Sequence, residues 1–234
     1  MNTLYLVRHG ENRANLTKEF SHRLIDYPLT PKGVLQAQQT AEFFHDKAIH
    51  AIYTSPLQRA RQTAEIIAAP HGLAVTVLEG LREVNVGELE RRPVSAEGWA
   101  LYTRIMEAWF TGRPDVCFPE GEDFTSLRER MRTSLEEMVG SQEGRSIIAV
   151  GHGGIFTMTL RDLCPDVDPE WLRGQDNPNC SVSEIALSRR NGRLYGEVVS
   201  WGTHSHLHGE AADLVPSAPR AGELGEDREG QGTP

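Results

Sequence analysis

Residues 4–7, Leu-Tyr-Leu-Val, form an unbroken apolar run that passes without interruption into Arg8, His9 and Gly10. A half-exposed strand would alternate. This pattern suits a strand buried on both faces, as in a parallel sheet covered by helices. Open α/β sheets of that kind gather their ligand chemistry at the carboxyl ends of strands. A guanidinium, an imidazole and a glycine at such an end suit a transferable phosphoryl group. The imidazole can attack phosphorus, the guanidinium fork can hold non-bridging oxygens, and glycine admits the backbone closely. A strand that simply reaches water through charged residues would read the same over three positions, so the rest of the chain must decide.

The plan repeats downstream. Residues 11–29 read as a loop. Thr30-Pro31 is a helix start, with a hydroxyl cap and proline at the first position, and Val34, Ala37, Ala41 and Phe44 follow at helical spacing to about residue 46. Residues 50–54 form a second strand. Ser55-Pro56 repeats the cap-then-proline signal before Leu57, Ala60, Ala64 and Ile67, and residues 74–78 form a third strand. Repeated strand–loop–helix units predict parallel strands with right-handed crossovers.

Residues 81–92 are charged and irregular. Helical stretches near 96–110 and 125–139 then enclose a Gly/Pro-punctuated loop, which together predict a small helical cap over about 88–140. Residues 146–150 are a fully apolar strand ending in Gly151-His152-Gly153-Gly154, before a helix over 155–163. Residues 182–187 and 194–201 flank Asn191-Gly192, a strong hairpin signal. The expected architecture is a three-layer α/β/α domain over 1–209, with a mostly parallel central sheet and an antiparallel C-terminal edge hairpin. Residues 210–234 lose hydrophobic pattern and read as an acidic, disordered tail.

Three further positions place chemistry at element ends. His152 follows its strand as His9 follows the first, with small neighbours and a helix start behind it, a setting that favours anions. Arg59 lies in the first turn of the helix after Ser55-Pro56, whereas Arg61, two positions on, faces elsewhere. Glu83 begins the irregular segment. A formal charge of −9 over 234 residues speaks against nucleic acid or an anionic membrane as partner. Local clustering of Arg and His still lets an acidic protein hold an anion. Cys117, Cys164 and Cys180 are odd in number and lack a C-x-x-C spacing, which fits neither a disulfide framework nor a zinc finger. Without a signal-peptide pattern or an apolar run of membrane-spanning length, a soluble cytoplasmic protein is expected.

Arg8-His9-Gly10-Glu11 with Asn15, Pro28-Leu29-Thr30 with Gly33 and Gln36-Ala37, and Ser55-Pro56-Leu57-Gln58-Arg59-Ala60 occur in that order. Leu81-Arg82-Glu83 with Gly87-Glu88, Gly151-His152-Gly153 and His206-Leu207 follow. On these segments, spanning about residues 3–207, the chain resembles the histidine phosphatase superfamily, in the branch containing cofactor-dependent phosphoglycerate mutases and related phosphatases. The resemblance implies that His9 is the nucleophile that becomes phosphohistidine. It implies that Arg8, Arg59 and His152 form the phosphate pocket, with Asn15 as a neutral donor and the Gly153 N–H facing the phosphate. Glu83 corresponds to the general acid that later activates water. Two guanidiniums and an imidazolium would supply the charge that phosphoryl transfer requires, without metal or cofactor. His9 must then be neutral at its attacking nitrogen, with the other held by a backbone carbonyl.

Two departures stand out. Where relatives often carry small or amide residues, this chain has Ser21-His22-Arg23, making His22 and Arg23 candidates for the pocket mouth or a second anionic group. Glu90 is followed by Arg91-Arg92-Pro93 where many relatives have Glu-Gly. Mutases of this type carry a longer, more basic insertion after the catalytic glutamate, so the expected activity is phosphatase action on a small phosphorylated metabolite. The alternatives are a mutase-type phosphotransferase and an inactive phospho-ligand-binding relative. Self-association into a homodimer stays open. His204-x-His206-x-His208 could hold a metal, although His206-Leu207 also belongs to the family pattern.

Overall fold

The computed structural model of the chain describes residues 1–220 together with 223 and 224. Its centre is a six-stranded sheet of β1 (Asn2–Arg8), β2 (Ala51–Thr54), β3 (Val75–Val77), β4 (Ser146–Gly151), β5 (Val182–Arg190) and β6 (Arg193–Thr203). The spatial order is β3-β2-β4-β1-β5-β6. Strands β1 to β4 are mutually parallel, and β5 alone runs against them, because it is antiparallel to both β1 and β6. The helices are α1 (Arg13–Thr17), α2 (Pro31–Phe44), α3 (Gln58–Ala68), α4 (Ala96–Phe110), α5 (Phe124–Val139), α6 (Gly153–Leu163) and α7 (Pro169–Arg173).

The run 4–7 is apolar throughout because β1 has no free face. Leu4 and Leu6 pack with Ile147, Ala149, Ile185, Met131, Leu135 and Phe156 on one side. Tyr5 and Val7 pack with Ile52, Val150, Phe44, Ala60 and Ala64 on the other. Each such side chain contributes about 1.5–3 kcal/mol by leaving water, so Leu6→Asp alone would remove much of a domain's stability of about 5–15 kcal/mol.

Local signals set most element starts. The Thr30 hydroxyl accepts from Gly33 N–H at 3.0 Å, with Pro31 as the first residue of α2. Asp123 caps α5 through Ser126 N–H at 2.8 Å. Asn191 and Gly192 take φ of 51° and 79°, the paired left-handed conformation of a tight hairpin.

The structure differs from expectation in six places. The loop 11–29 contains α1, opened by a reciprocal pair in which Asn12 and Asn15 side chains each accept the other's backbone N–H. Ser55 caps nothing, since α3 begins at Gln58 without a side-chain cap. Helix α6 begins at Gly153, earlier than 155, and α7 had no expected counterpart. The cap divides: α5 buries Leu127, Met131, Leu135 and Met138 in the main core, leaving α4 to line the site. The expected tail is ordered in its first part, because Ala211 and Leu207 bury against Leu29, Ala37 and Cys180. Gln36 Nε2 also donates to Ala211 O at 3.1 Å. The rest of that tail, 221–222 and 225–234, lies outside the described residues.

The three C-terminal histidines do not converge. His204 Nδ1 meets Gly202 O, His208 Nδ1 meets His206 O, and His206 Nε2 pairs with the Thr40 hydroxyl while its ring lies 4.9 Å from Phe43. No group of three His, Cys, Asp or Glu suited to a metal occurs among the described residues. Cys117, Cys164 and Cys180 are all free. No described helix is long and apolar enough to cross a membrane.

Candidate active site

Sheet register assembles the site. Arg8 pairs with Gly151 across β1 and β4, and His9 N–H donates to Gly151 O at 3.0 Å. The following residues, His9 and His152, therefore leave the sheet side by side with ring centroids 5.1 Å apart. Thr54 pairs with Val150, which sets Ser55 and the approach to α3 beside them.

Arg59, 3% exposed, links the two imidazoles. Its Nε lies 3.1 Å from His9 Nε2, and its Nη2 lies 3.1 Å from His152 Nδ1. A guanidinium can only donate, so both imidazole nitrogens must carry lone pairs. His9 Nδ1–H then donates to Gly10 O at 2.7 Å, and His152 Nε2–H to the Ser55 hydroxyl at 2.7 Å. Both rings are neutral. Electrostatics agree, because burial first, then the charges of Arg59 and Arg8, hold both imidazoles well below 6.5. Burial lowers Arg59 to about 10, which leaves it cationic at neutral pH. The imidazolium expected at His152 is thus a neutral ring, desolvated and crowded by two cations. It is fully buried, lies outside the pocket lining, and holds Arg59.

Arg8, 7% exposed, sends Nη1 to Asn177 O and to the Ser217 hydroxyl, each at 2.6 Å. Its buried Nε has no partner. A buried guanidinium N–H with no protein partner is a donor suited to an anionic group. Asn15 lines the pocket with Oδ1 receiving Asn12 N–H and Asn179 Nδ2, which turns its NH₂ group to a ligand. Gly153 also lines it, with its Cα against Arg8, whose guanidinium carbon lies 3.6 Å from where a Cβ would sit.

Glu83 reaches the pocket across the first turn of α6. Its Oε2 accepts Gly154 N–H at 3.0 Å, and its Oε1 accepts Ile155 and Val84 N–H, each at 2.9 Å. A Cβ on Gly154 would sit 2.6 Å from Glu83 Oε1, so only glycine admits this carboxyl. Gly10 and Gly33 are matched likewise: a Cβ on Gly10 would lie 2.5 Å from Gly33 O, and one on Gly33 2.1 Å from Glu11 O.

His22 and Arg23 are not brought to the pocket. His22 is buried and its Nδ1 meets Glu83 O at 2.8 Å, so it braces the backbone of Glu83. Arg23 is exposed, tied only through its backbone N–H to Glu90. Glu90 Oε1 alone accepts the N–H groups of His22, Arg23, Leu24 and Ile25, at 2.7, 2.7, 2.9 and 3.0 Å. These clamped residues carry Ser21, whose hydroxyl and carbonyl both accept from Arg59.

The pocket, about 290 Å³, runs from Arg8, His9 and Arg59 outward past Lys18, Phe20, Trp99, Tyr102, Met106 and Phe110 to Gln175–Asn177 and Ser217. Sequence reasoning missed Lys18, Asn179, Ser217 and the aromatic wall. Only the wall left a signal: Trp99, Tyr102, Met106 and Phe110 recur every three or four residues along α4.

The comparisons with known proteins agree with this geometry. The model for the histidine phosphatase superfamily (branch 1) matches residues 4–198. The chain is 34% identical over 219 residues to "Probable phosphoglycerate mutase GpmB" of Escherichia fergusonii, covering 90% of this chain and 97% of that one. It superposes on Bacillus stearothermophilus YhfR with a TM-score of 0.72 at 27% identity, covering 88% and 99% of the two chains. It shares the fold of the Entamoeba histolytica phosphoserine phosphatase solved with 3-phosphoglyceric acid, with a TM-score of 0.71 at 24% identity over 89% and 100%.

Proposed function

Because the chain belongs to branch 1 of the histidine phosphatase superfamily, we propose that it is a phosphomonoester phosphatase working through a phosphohistidine on His9, without a metal. The observation that carries this reading is the tautomer of His9. Gly10 O takes the Nδ1 proton, and Nε2 keeps its lone pair beside the buried guanidinium of Arg59.

In the first step Nε2 attacks phosphorus in line, the bond to the leaving oxygen breaks, and Glu83 delivers a proton to that oxygen. Arg59 Nε and the unpartnered Arg8 Nε turn to the equatorial oxygens, where charge gathers in the transition state. His152 and Ser21 keep Arg59 in register. In the second step water loses its proton to Glu83 and attacks phosphorus, the P–N bond breaks, and His9 is restored with free phosphate.

The names of the sequence relatives favour a second reading, a mutase in which the phosphohistidine meets a bound hydroxy acid. Phosphate release from a panel of phosphomonoesters in chelator, run beside isomerisation of 3-phosphoglycerate, separates the two. Release with base-stable, acid-labile phosphorylation on the His9 peptide supports the phosphatase. Isomerisation without release replaces it with the mutase, and neither activity from folded protein sinks both.

A further inference from the structure

Outside the phosphate cradle, the pocket has an apolar wall and a rim of one cation, Lys18, and two acids, Glu19 and Asp176. On α4 the two sides differ. Ile105, Ala108 and Trp109 are buried in the core, whereas Trp99, Tyr102, Met106 and Phe110 are only partly covered and face the cavity. Phe20 extends this surface, with its ring centroid 4.7 Å from Trp99 and 5.2 Å from Tyr102. Val84, Val86 and Met158 complete it across from α4. The wall and His9 line one pocket, so a group bonded to the transferring phosphate can reach it.

Charge narrows the occupant further. The described lining residues include three cations, Arg8, Arg59 and Lys18, and three acids, Glu19, Glu83 and Asp176. Arg8 and Arg59 belong to the cradle. Lys18 is 4% exposed, and its Nζ is taken by Pro216 O at 2.7 Å. That bond leaves the ammonium its charge and two further N–H donors. Outside the cradle, however, Lys18 stands against both Glu19 and Asp176, so a carboxylate or second phosphate on the leaving group would meet a net negative rim.

Resting on the phosphatase reading, we propose that the substrate is a phosphomonoester whose alcohol carries an aromatic or similarly large apolar group, seated on Trp99, Tyr102, Met106 and Phe110. Small acids such as phosphoglycerate leave this wall unfilled and are expected to be the poorer substrates. Apolar pockets with few polar groups bind ligands largely through such burial, and binding of non-reacting parts feeds into turnover.

The test uses alkyl esters of matched leaving-group basicity: 3-phenylpropyl phosphate, propyl phosphate and 3-phosphoglycerate. The expected kcat/KM of the phenyl ester exceeds that of propyl phosphate by about 10- to 100-fold, or about 1.4–2.8 kcal/mol at 1.4 kcal/mol per tenfold. Phe110→Ala and Met106→Ala should each shrink that ratio. Equal values for the two alkyl esters, or a preference for 3-phosphoglycerate, overturn the substrate class and leave the phosphatase standing. Calorimetric Kd values for the same esters on His9→Ala protein separate the remaining case. A ratio near one overturns the wall even in a protein that hydrolyses nothing. A ratio of about 10 or more with no hydrolysis by the unmodified protein sustains the wall and sinks the phosphatase.

Discussion

Replacing Glu90 by Gln tests whether one buried carboxylate oxygen organises the site at a distance. Glu90 is 7% exposed, and its Oε1 receives four consecutive backbone N–H groups from residues 22–25. Hydrogen bonds to a charged acceptor contribute about 1.5–3 kcal/mol and neutral ones about 0.5–1.5, so each bond should weaken by about 1 kcal/mol. Four donors crowd one oxygen and do not add fully. A loss of about 2–4 kcal/mol is therefore expected, read as a fall in the urea midpoint at unchanged slope. The effect should pass to catalysis through Ser21, which receives two Arg59 donors. Under conditions where the variant stays folded, kcat should fall about 10-fold or more. Glu90→Asp should not rescue it, being one methylene too short. A variant within 0.5 kcal/mol of the parent, with unchanged kcat, would refute the argument.

Other perturbations have equally definite outcomes. Gly154→Ala should keep the thermal transition within a few degrees yet displace the Glu83 carboxyl, since the added Cβ would sit 2.6 Å from Oε1. Hydrolysis of alkyl esters should then slow by about 10²-fold, in the range of general-acid contributions, and aryl esters by much less; equal losses would remove Glu83 from protonating the leaving group. Because burial and two guanidiniums depress His9, the acid limb of kcat/KM should fall below pH 6.5, and a limb above it contradicts a neutral buried nucleophile. Stability carries the same sign. His9, His152 and His206 (lowered to about 4) take up protons more readily when unfolded, so the urea midpoint should drop as pH falls below 6.5 and hold above it. Phosphate release should persist in excess chelator; loss reversed by a divalent cation would end the metal-free reading.

What could be read from residues alone follows a physical divide. The β1 run is legible because both its faces are covered, and the Asn191-Gly192 turn because its backbone demands residues tolerant of positive φ. Arg8, His9, Arg59 and Glu83 were legible as chemistry because they sit at element ends. His22 and Arg23 misled, since a cationic side chain in a loop looks like a ligand contact until burial shows one of them bracing Glu83 and the other facing water. The neutral state of His152 depends on its burial and then on Arg59, 93 positions away. Glu90 reaches its donors across 65 to 68 positions. Such pairings leave no local pattern. The ordered stretch 209–220 was obscured by its composition, although the buried Ala211, the Ser217 hydroxyl that accepts from Arg8 and the Pro216 carbonyl that accepts from Lys18 tie it to the domain.

Helix α4 is contributed by a single stretch between β3 and α5, whereas the phosphate cradle draws on the ends of β1 and β4 and the start of α3. The two therefore respond to different parts of the coding sequence. If the proposed phosphatase reading holds, recoding four positions on one helix would alter which alcohol is accepted while the residues around His9 stay intact. The Gly10–Gly33 contact allows no such freedom, because neither residue can gain a side chain without moving α2 off the nucleophile loop. A library confined to Trp99, Tyr102, Met106 and Phe110 would thus vary most of the aromatic wall while Phe20, Val84, Val86 and Met158 hold the rest of it constant.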